Sequence, residues 1–556
     1  MTGGPAADES TWERRLVWLI GGVALVRLAF LFSVDIDLAP DEAYYWDWGR
    51  EPAWGYFSKP PMIAWVYAAA RILGADTTFW IRLPAVILGI GTLTFAGLLV
   101  RRMAGPRTAC WSVLLLALAP GNIVSSLVLT IDAPLLFSWT AALCGLWMAT
   151  MPRRDGSRTP ASWWLCAGAI GAGVLSKQMM CFFPMLALAW LALESAGRRH
   201  LRDWRTWAAL VVPLAALIPV FAWNARHDWI MVHHTAGHFG AKAWSLARGF
   251  RSFGEFIGIE MVLVGPVIAA AFVFAASRIV RAWHAAEPAD RFLWIFSVPA
   301  LAVVVSMSLF QHVQPNWPAV FWVGGSLLAV RFVVAPQHSR WQRSALWSAG
   351  ALTALVLLLP VLIPLTGQAM SKTDVLARLR GWRDFAAQVQ EIRGRFASDG
   401  RLPDVWAATE RGVVSELAFY FPDQPRVRRW SVTGRVASQY EIWPAPAPDG
   451  RDWLILTRVA DPGVPPGLAM RFKSIEPAGE VVYGPDTHRT RRYLVWIGRE
   501  YVRTGETPQP RVLARWSAAG SSIFALDATI HDCVGRIHTM GAPDGVFEGL
   551  VHDTRR

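Results

Sequence analysis

Lysine is nearly absent from this 556-residue sequence: five lysines, at 59, 177, 242, 372 and 473, stand against 49 arginines. Charge of either sign is sparse as well, at 17% of residues, where a soluble protein carries about 25%. That excludes an ordinary soluble globular chain. Cysteine is also scarce. Cys110, Cys144, Cys166 and Cys181 sit in apolar runs and Cys533 stands alone, so no disulfide framework and no metal-type cysteine spacing exists. The first twelve residues lack the basic stretch and small-residue cleavage pattern of a removable leader. Internal repeats and low-complexity stretches are missing too. No apolar run of twenty residues follows Thr366.

What is there is apolar. Hydrophobic residues make up 54% of the chain, and 31 residues are tryptophan. Before Thr366 they gather into runs of about twenty, which match a ~30 Å hydrocarbon layer at 1.5 Å per residue. Eleven spans are expected, near 16–33, 80–100, 108–126, 131–150, 162–176, 178–195, 206–223, 256–277, 292–311, 316–334 and 345–366. Arginine orients them. Arg14/Arg15, Arg101/Arg102/Arg107, Arg153/Arg154/Arg158, Arg198/Arg199/Arg202/Arg205, Arg278/Arg281/Arg291 and Arg340/Arg343 fall on one side if the N-terminus is cytoplasmic. The formal charge of +13 is spread over these helix ends, which suits anionic lipid and not nucleic acid. The apolar piece 61–74 is too short to span and reads as interfacial or re-entrant.

Eleven spans leave a soluble part, 371–556, on the outer side of a membrane part, 1–370. The soluble part opens on an amphipathic helix pattern, Trp382 to Phe396. Short alternating segments follow at 405–409, 452–458 and 491–498, between Pro, Gly and Asp turns. An α+β domain is expected.

Polar and ionisable residues collect at the outer ends of the expected helices. The loop 34–60 holds Asp41 and Glu42, Asp132 opens the fourth span, and Lys177 separates spans five and six. Asn224 ends span seven, and Asn316 lies in QPNWP before span ten. A carboxylate pair at a helix start is usually a solvated, dipole-matched end. Polar groups at bundle ends are nonetheless costly to bury and mark function by default. Two of the five lysines, Lys59 and Lys177, lie at this mouth, and in so arginine-biased a chain a lysine there suits a phosphate as a compact point charge. His227, His233, His234 and His238 share one outer loop, but Thr235 stands where HExxH needs its Glu. Loop histidines are more often hydrogen-bonding surface residues. No metal ligands are assigned. A divalent metal stays open as a cofactor.

In order along the chain come DEAYYWDW (41–48), SKPP (58–61), RLPAVILG (82–89), IDAPLLF (131–137), LSK (175–177) and PNWP (315–318). With these motifs the chain resembles the polyprenyl-phosphate-sugar-dependent membrane glycosyltransferases of the GT-C fold. More narrowly, it is similar to the protein O-mannosyltransferase and aminoarabinose–lipid A transferase superfamily. The resemblance covers about 15–335. ERGVVSELAFYFPDQPRV (410–427) and SQYEIWP (438–444) resemble the soluble tail of one bacterial branch, and nothing similar is visible beyond about 500.

The resemblance implies a multi-span helical bundle of the bacterial inner membrane. A sugar would pass there from a polyprenyl-phosphate carrier to a hydroxyl of a lipid, glycan or protein, at the periplasmic face. Asp41 matches the family's catalytic aspartate, with Glu42 beside it, and Asp132 matches a second acidic position. Lys59 matches the basic residue that can contact the carrier phosphate. Arg50, Tyr45, Lys177, Asn224 and Asn316 are taken as further substrate-binding residues. Ser58 departs from relatives that carry an acidic residue there, which weakens an aminoarabinose specificity. The chemistry fits on its own terms. A carboxylate can deprotonate an acceptor hydroxyl, and a lysine can steady the departing phosphate. One base and one displacement would invert the anomeric centre. A transporter or lipid flippase is the rival reading; it would show repeated halves and mid-membrane breaks.

Overall fold

The computed structural model describes residues 5–74, 76–152, 161–237, 245–335, 338–371, 374–460, 463–484, 491–502 and 511–512. Arg153, Arg154, Arg158, His238, Lys242, Lys372 and Cys533 lie outside the described residues. The membrane part contains α1 (Pro5–Ser33), α2 (Pro40–Gly49), α3 (Met62–Leu73), α4 (Thr78–Ala117), α5 (Pro120–Leu127) and α6 (Asp132–Thr150). Next come α7 (Ser162–Ser176), α8 (Phe182–Leu193), α9 (Ser195–Arg198), α10 (Trp204–Val211), α11 (Leu217–Ala225) and α12 (Ile230–Gly237). It ends with α13 (Leu246–Val264), α14 (Pro266–Arg281), α15 (Pro288–Ile295), α16 (Val298–Ser308), α17 (Ala319–Val334) and α18 (Ser339–Leu365). The chain is a membrane protein.

By length and composition, six described helices can cross a bilayer, or up to eight if two bent pairs each count as one span. The expected eleven is not reached in this way, for reasons visible in the helices. The expected span 80–100 and the first half of 108–126 both lie on the 40-residue α4, which turns back on itself at Gly105 (φ 85°, ψ 171°), and the rest of 108–126 falls on α5. A Cβ on Gly97 would stand 3.1 Å from Val113, whereas a straight helix would hold these residues ~24 Å apart. The α7 and α17 helices are apolar but have only 15 and 16 residues, or ~23 Å of rise. The expected continuous span 256–277 is overturned. The chain bends by 102° between α13 and α14, where Gly265 takes φ 94° and Pro266 begins the next helix. Glycine enters that region freely and proline cannot donate to the preceding turn.

The C-terminal part holds α19 (Trp382–Arg395), β1 (Asp404–Ala408), α20 (Arg411–Tyr420), β2 (Arg428–Arg429), β3 (Trp453–Arg458), α21 (Pro466–Ala469), β4 (Phe472–Tyr483), β5 (Arg491–Tyr501) and β6 (Arg511–Val512). The strands form one sheet in the order β2-β1-β3-β5-β4-β6. The three segments expected from alternation are β1, β3 and β5. Their residues divide by parity, as a period of two requires. Val405, Ala407, Leu454, Leu456, Val495 and Ile497 pack on one face, and Trp406, Trp453, Ile455, Leu494 and Trp496 pack on the other.

The first face decides where the site lies. It shares a single apolar core with α19, α20 and the first loop of the membrane part, including Leu38, Tyr44, Trp46, Trp48 and Tyr56. Each of those five is fully buried, and a buried aromatic of this size contributes ~2–3 kcal/mol. Trp46 meets Phe419 edge-on at 5.0 Å. The α20 helix approaches so closely that a Cβ on Gly412 would sit 3.1 Å from Pro40. Polar ties fix the register: Tyr420 Oη accepts from Leu38 N at 2.8 Å, and Asp37 accepts from Trp382 N at 2.8 Å.

Candidate active site

The site is built around α2. Pro40 opens this helix with its φ already set, and Asp41 and Glu42 occupy the first turn, where carboxylates suit the dipole. Their environments differ sharply. Asp41 is exposed, and its Oδ1 accepts from Arg411 Nη2 at 2.8 Å. Glu42 is wholly buried and engaged through both oxygens. It accepts from Ala39 N (2.9 Å), Arg82 Nε (3.0 Å), Arg82 Nη2 (2.7 Å) and Leu129 N (3.0 Å). Arg82 also donates to the carbonyls of Ile36 and Asp37. Removing one partner from so buried a pair costs ~3–5 kcal/mol. Through these bonds Glu42 ties together loop 36–39, α4 and the entrance of α6.

After α2 the chain makes a tight turn onto the two prolines before α3. Tyr56 stacks on Trp48 at 4.5 Å and 2°, its hydroxyl hydrogen-bonds the 48–53 backbone, and Tyr56 N donates to Lys59 O. Phe57 N donates to Gln439 Oε1 at 2.8 Å, so the soluble part holds the turn from above. Lys59 is thereby presented without an ion pair or side-chain hydrogen bond among the described residues. Burial and the nearby Lys177 charge push its ammonium down to about 8, against the pull of Asp132 and Asp41.

Three expected residues from distant segments meet beside it. Lys177 interrupts the chain between α7 and the next helical turn, with an extended backbone, and its Nζ donates to Asp132 Oδ1 at 2.8 Å and to Asn316 O at 3.2 Å. Asn316 Nδ2 donates to Asp132 Oδ2 at 2.8 Å. Asp132 sits at the start of α6, and both of its oxygens are occupied; it fixes a cation and an amide in place. Tyr45 lies between, its phenol raised well above its ordinary value by burial and then by the charges of Asp41 and Asp132. The charges of Asp41, Asp132 and Arg411 act on both Lys59 and Tyr45, and that of Lys177 acts on Lys59.

Two further expected residues have partners of their own. Arg50 closes the far end of α2, nine residues and ~13 Å from Asp41. Its donors are taken by Asp47 and by the carbonyls of Gln424 and Pro425. Asn224 stitches the turn after α11, accepting from Met231 N and donating to Val220 O. Sequence reasoning missed Arg411, which reaches Asp41 from α20 and lies over the Tyr44 ring at 4.7 Å. It also gave no role to Arg82 of the RLP motif. His227 stacks on Trp223 and His234 rests against Phe57. Among the described residues no three His, Cys, Asp or Glu side chains are grouped to hold a metal.

The chain is similar to several known proteins. Residues 58–223 match the family described as dolichyl-phosphate-mannose-protein mannosyltransferase. The chain is 28% identical to the lipid A galacturonosyltransferase RgtD of Rhizobium johnstonii over 433 residues, covering 76% of this chain and 86% of that protein. It is 25% identical to the lipopolysaccharide core galacturonosyltransferase RgtA of the same organism, over 67% of this chain and 74% of the relative. The structure of ArnT from Cupriavidus metallidurans bound to undecaprenyl phosphate superposes with a TM-score of 0.57 at 19% identity, over 86% of this chain and 97% of the other. The apo form of ArnT gives 0.56.

Proposed function

We propose that this chain, a membrane glycosyltransferase of the GT-C fold, moves a sugar from a polyprenyl-phosphate carrier to a hydroxyl of a lipid acceptor at the outer face of the inner membrane. The names of two relatives support a lipopolysaccharide-type glycolipid as acceptor and a uronic acid as the sugar. The carrier bound in the ArnT structure supports a polyprenyl phosphate as donor lipid. One arrangement carries the reading: an exposed carboxylate, Asp41, beside a lysine, Lys59, that has no ion-pair partner among the described residues, at one end of the apolar bundle.

In the proposed step Asp41 takes the acceptor hydroxyl proton as the acceptor oxygen bonds to the anomeric carbon. The bond from that carbon to the phosphate oxygen breaks, and the carrier leaves as a phosphate monoester whose added charge Lys59 offsets. With a single displacement the anomeric centre inverts. Tyr45, Lys177 and Asn316 line the donor pocket, and Asp132 holds the last two in position. Arginine-rich helix ends support a cytoplasmic N-terminus and a periplasmic site. The transporter reading has no comparable support, because the polar groups gather at one end of the bundle.

Asp41→Asn tests the assignment. Asparagine keeps the helix-start geometry but accepts no proton, so turnover should drop ~10²–10⁴-fold while donor binding persists. Near-normal turnover in folded protein would remove Asp41 as the base.

A further inference from the structure

The soluble part does more than cover the site, since it places a charge on the proposed base. Arg411, the first residue of α20, holds Asp41 Oδ1 at 2.8 Å. Close packing of Gly412 on Pro40 and a hydrogen bond from Ser415 Oγ to Pro40 O fix the start of α20 against the start of α2. The pair is not sealed: the two side chains are 43% and 54% exposed. An acceptor hydroxyl must use a lone pair of the carboxylate that Arg411 already grips.

Charge pairing indicates what releases it. Among the described residues, the charges acting on Lys59 include the cations Lys177 and Arg411 and the anions Asp41 and Asp132. Lys177 is matched by Asp132. Lys59 is left for the single negative charge of a phosphodiester. Once Asp41 binds a proton, Arg411 faces a neutral acid, and a second anion on the substrate would take its place. A guanidinium presents parallel donors that match a carboxylate, and a carboxylate is what Arg411 holds now. Exchanging one carboxylate for another keeps the charge-assisted bond and frees the base.

We infer that Arg411 is the donor-specificity residue: it holds Asp41 in the resting site and passes to the carboxylate of a uronic acid sugar when the donor binds. This rests on the transferase reading above. A neutral sugar leaves Arg411 on Asp41, so selectivity arises in the chemical step as well as in binding.

The test uses the full-length chain in lipid nanodiscs with a lipid A-type acceptor and two polyprenyl-phosphate donors, one carrying a hexuronic acid and one the matching neutral hexose. Initial rates give kcat/KM for each donor, and the ratio within one preparation is independent of how much protein is folded. In Arg411→Gln the uronate-to-hexose ratio should fall about 10- to 100-fold, through loss of uronate transfer. Arg411→Lys, which keeps the charge without the fork, should fall between. A ratio unchanged in Arg411→Gln, whether both rates drop together or neither does, overturns the inference and leaves the transferase reading intact. A wild-type chain that transfers neither sugar overturns both.

Discussion

Asp41 and Glu42 are neighbours in the chain with unlike tasks, and burial separates them. Glu42 accepts four hydrogen bonds while fully buried, and Asp41 meets one arginine at the surface. Lys59 stands between these extremes, and its position near a pKa of about 8 gives a measurable consequence. Its ammonium is present below that value and lost above it, and a bound phosphate favours the charged form. Donor affinity should therefore be steady near neutrality and weaken as pH rises through about 8. Lys59→Ala should cost ~2–3 kcal/mol of donor binding and abolish this pH dependence. Lys59→Arg should recover part of the affinity and stay flat, because arginine keeps its proton across the range. Titrating donor binding from neutral to alkaline pH checks all three; a wild-type curve without a break would detach Lys59 from the phosphate.

At the scale of elements, the decisive contact is α2 against α20. Glu416 on α20 is fully buried, and neither of its oxygens has a hydrogen-bond partner among the described residues. Burial first, then the Asp37 and Glu42 charges, raises its carboxyl well above the ordinary range, with Arg82 opposing. The folded protein thus keeps a proton that the unfolded chain gives up near 4.5. Stability from this group is complete below that pH and declines as pH climbs toward the folded pKa. Glu416→Gln should flatten that decline and raise the melting temperature at neutral pH, as thermal unfolding followed across pH will reveal. A variant that melts lower at every pH would contradict the buried neutral acid. The strands β1, β3 and β5 and the helix α19 were legible in the sequence because their periodicity is local. The motifs around Asp41, Lys59, Asp132 and Asn316 were legible as well, whereas the hydrogen bonds that occupy Arg50 and Asn224 were not. Arg411 was not legible. Its role depends on a contact across 370 positions, and an arginine at a helix start follows no pattern of its own. Helix breaks were equally hidden, since Gly265-Pro266 interrupts an apolar run without altering its hydropathy.

For the whole molecule, orientation is the premise from which the rest follows. In a cysteine-free background, cysteine at Glu51 or His233 should react with an impermeant thiol reagent from the periplasmic side. Cysteine at Ser195, exposed at the opposite ends of the helices, should react only after the membrane is opened. Labelling of position 195 from outside would reverse the sidedness and take the proposed carrier chemistry with it.

The core shared by the first loop and the sheet also bears on how the enzyme is made. Loop 34–60 leaves the ribosome early, and α20 and the strand at 491–501 follow several hundred residues later. Until they arrive, Tyr44, Trp46 and Trp48 have no partner surface and Asp41 has no arginine. A chain halted after its last membrane helix would keep Lys177 and Asn316 on Asp132 but would lack Arg411 on Asp41 and Gln439 on the turn before Lys59. The order of synthesis therefore acts as a safety catch on the proposed base: the arginine that grips Asp41 is the last part of that pair to be translated.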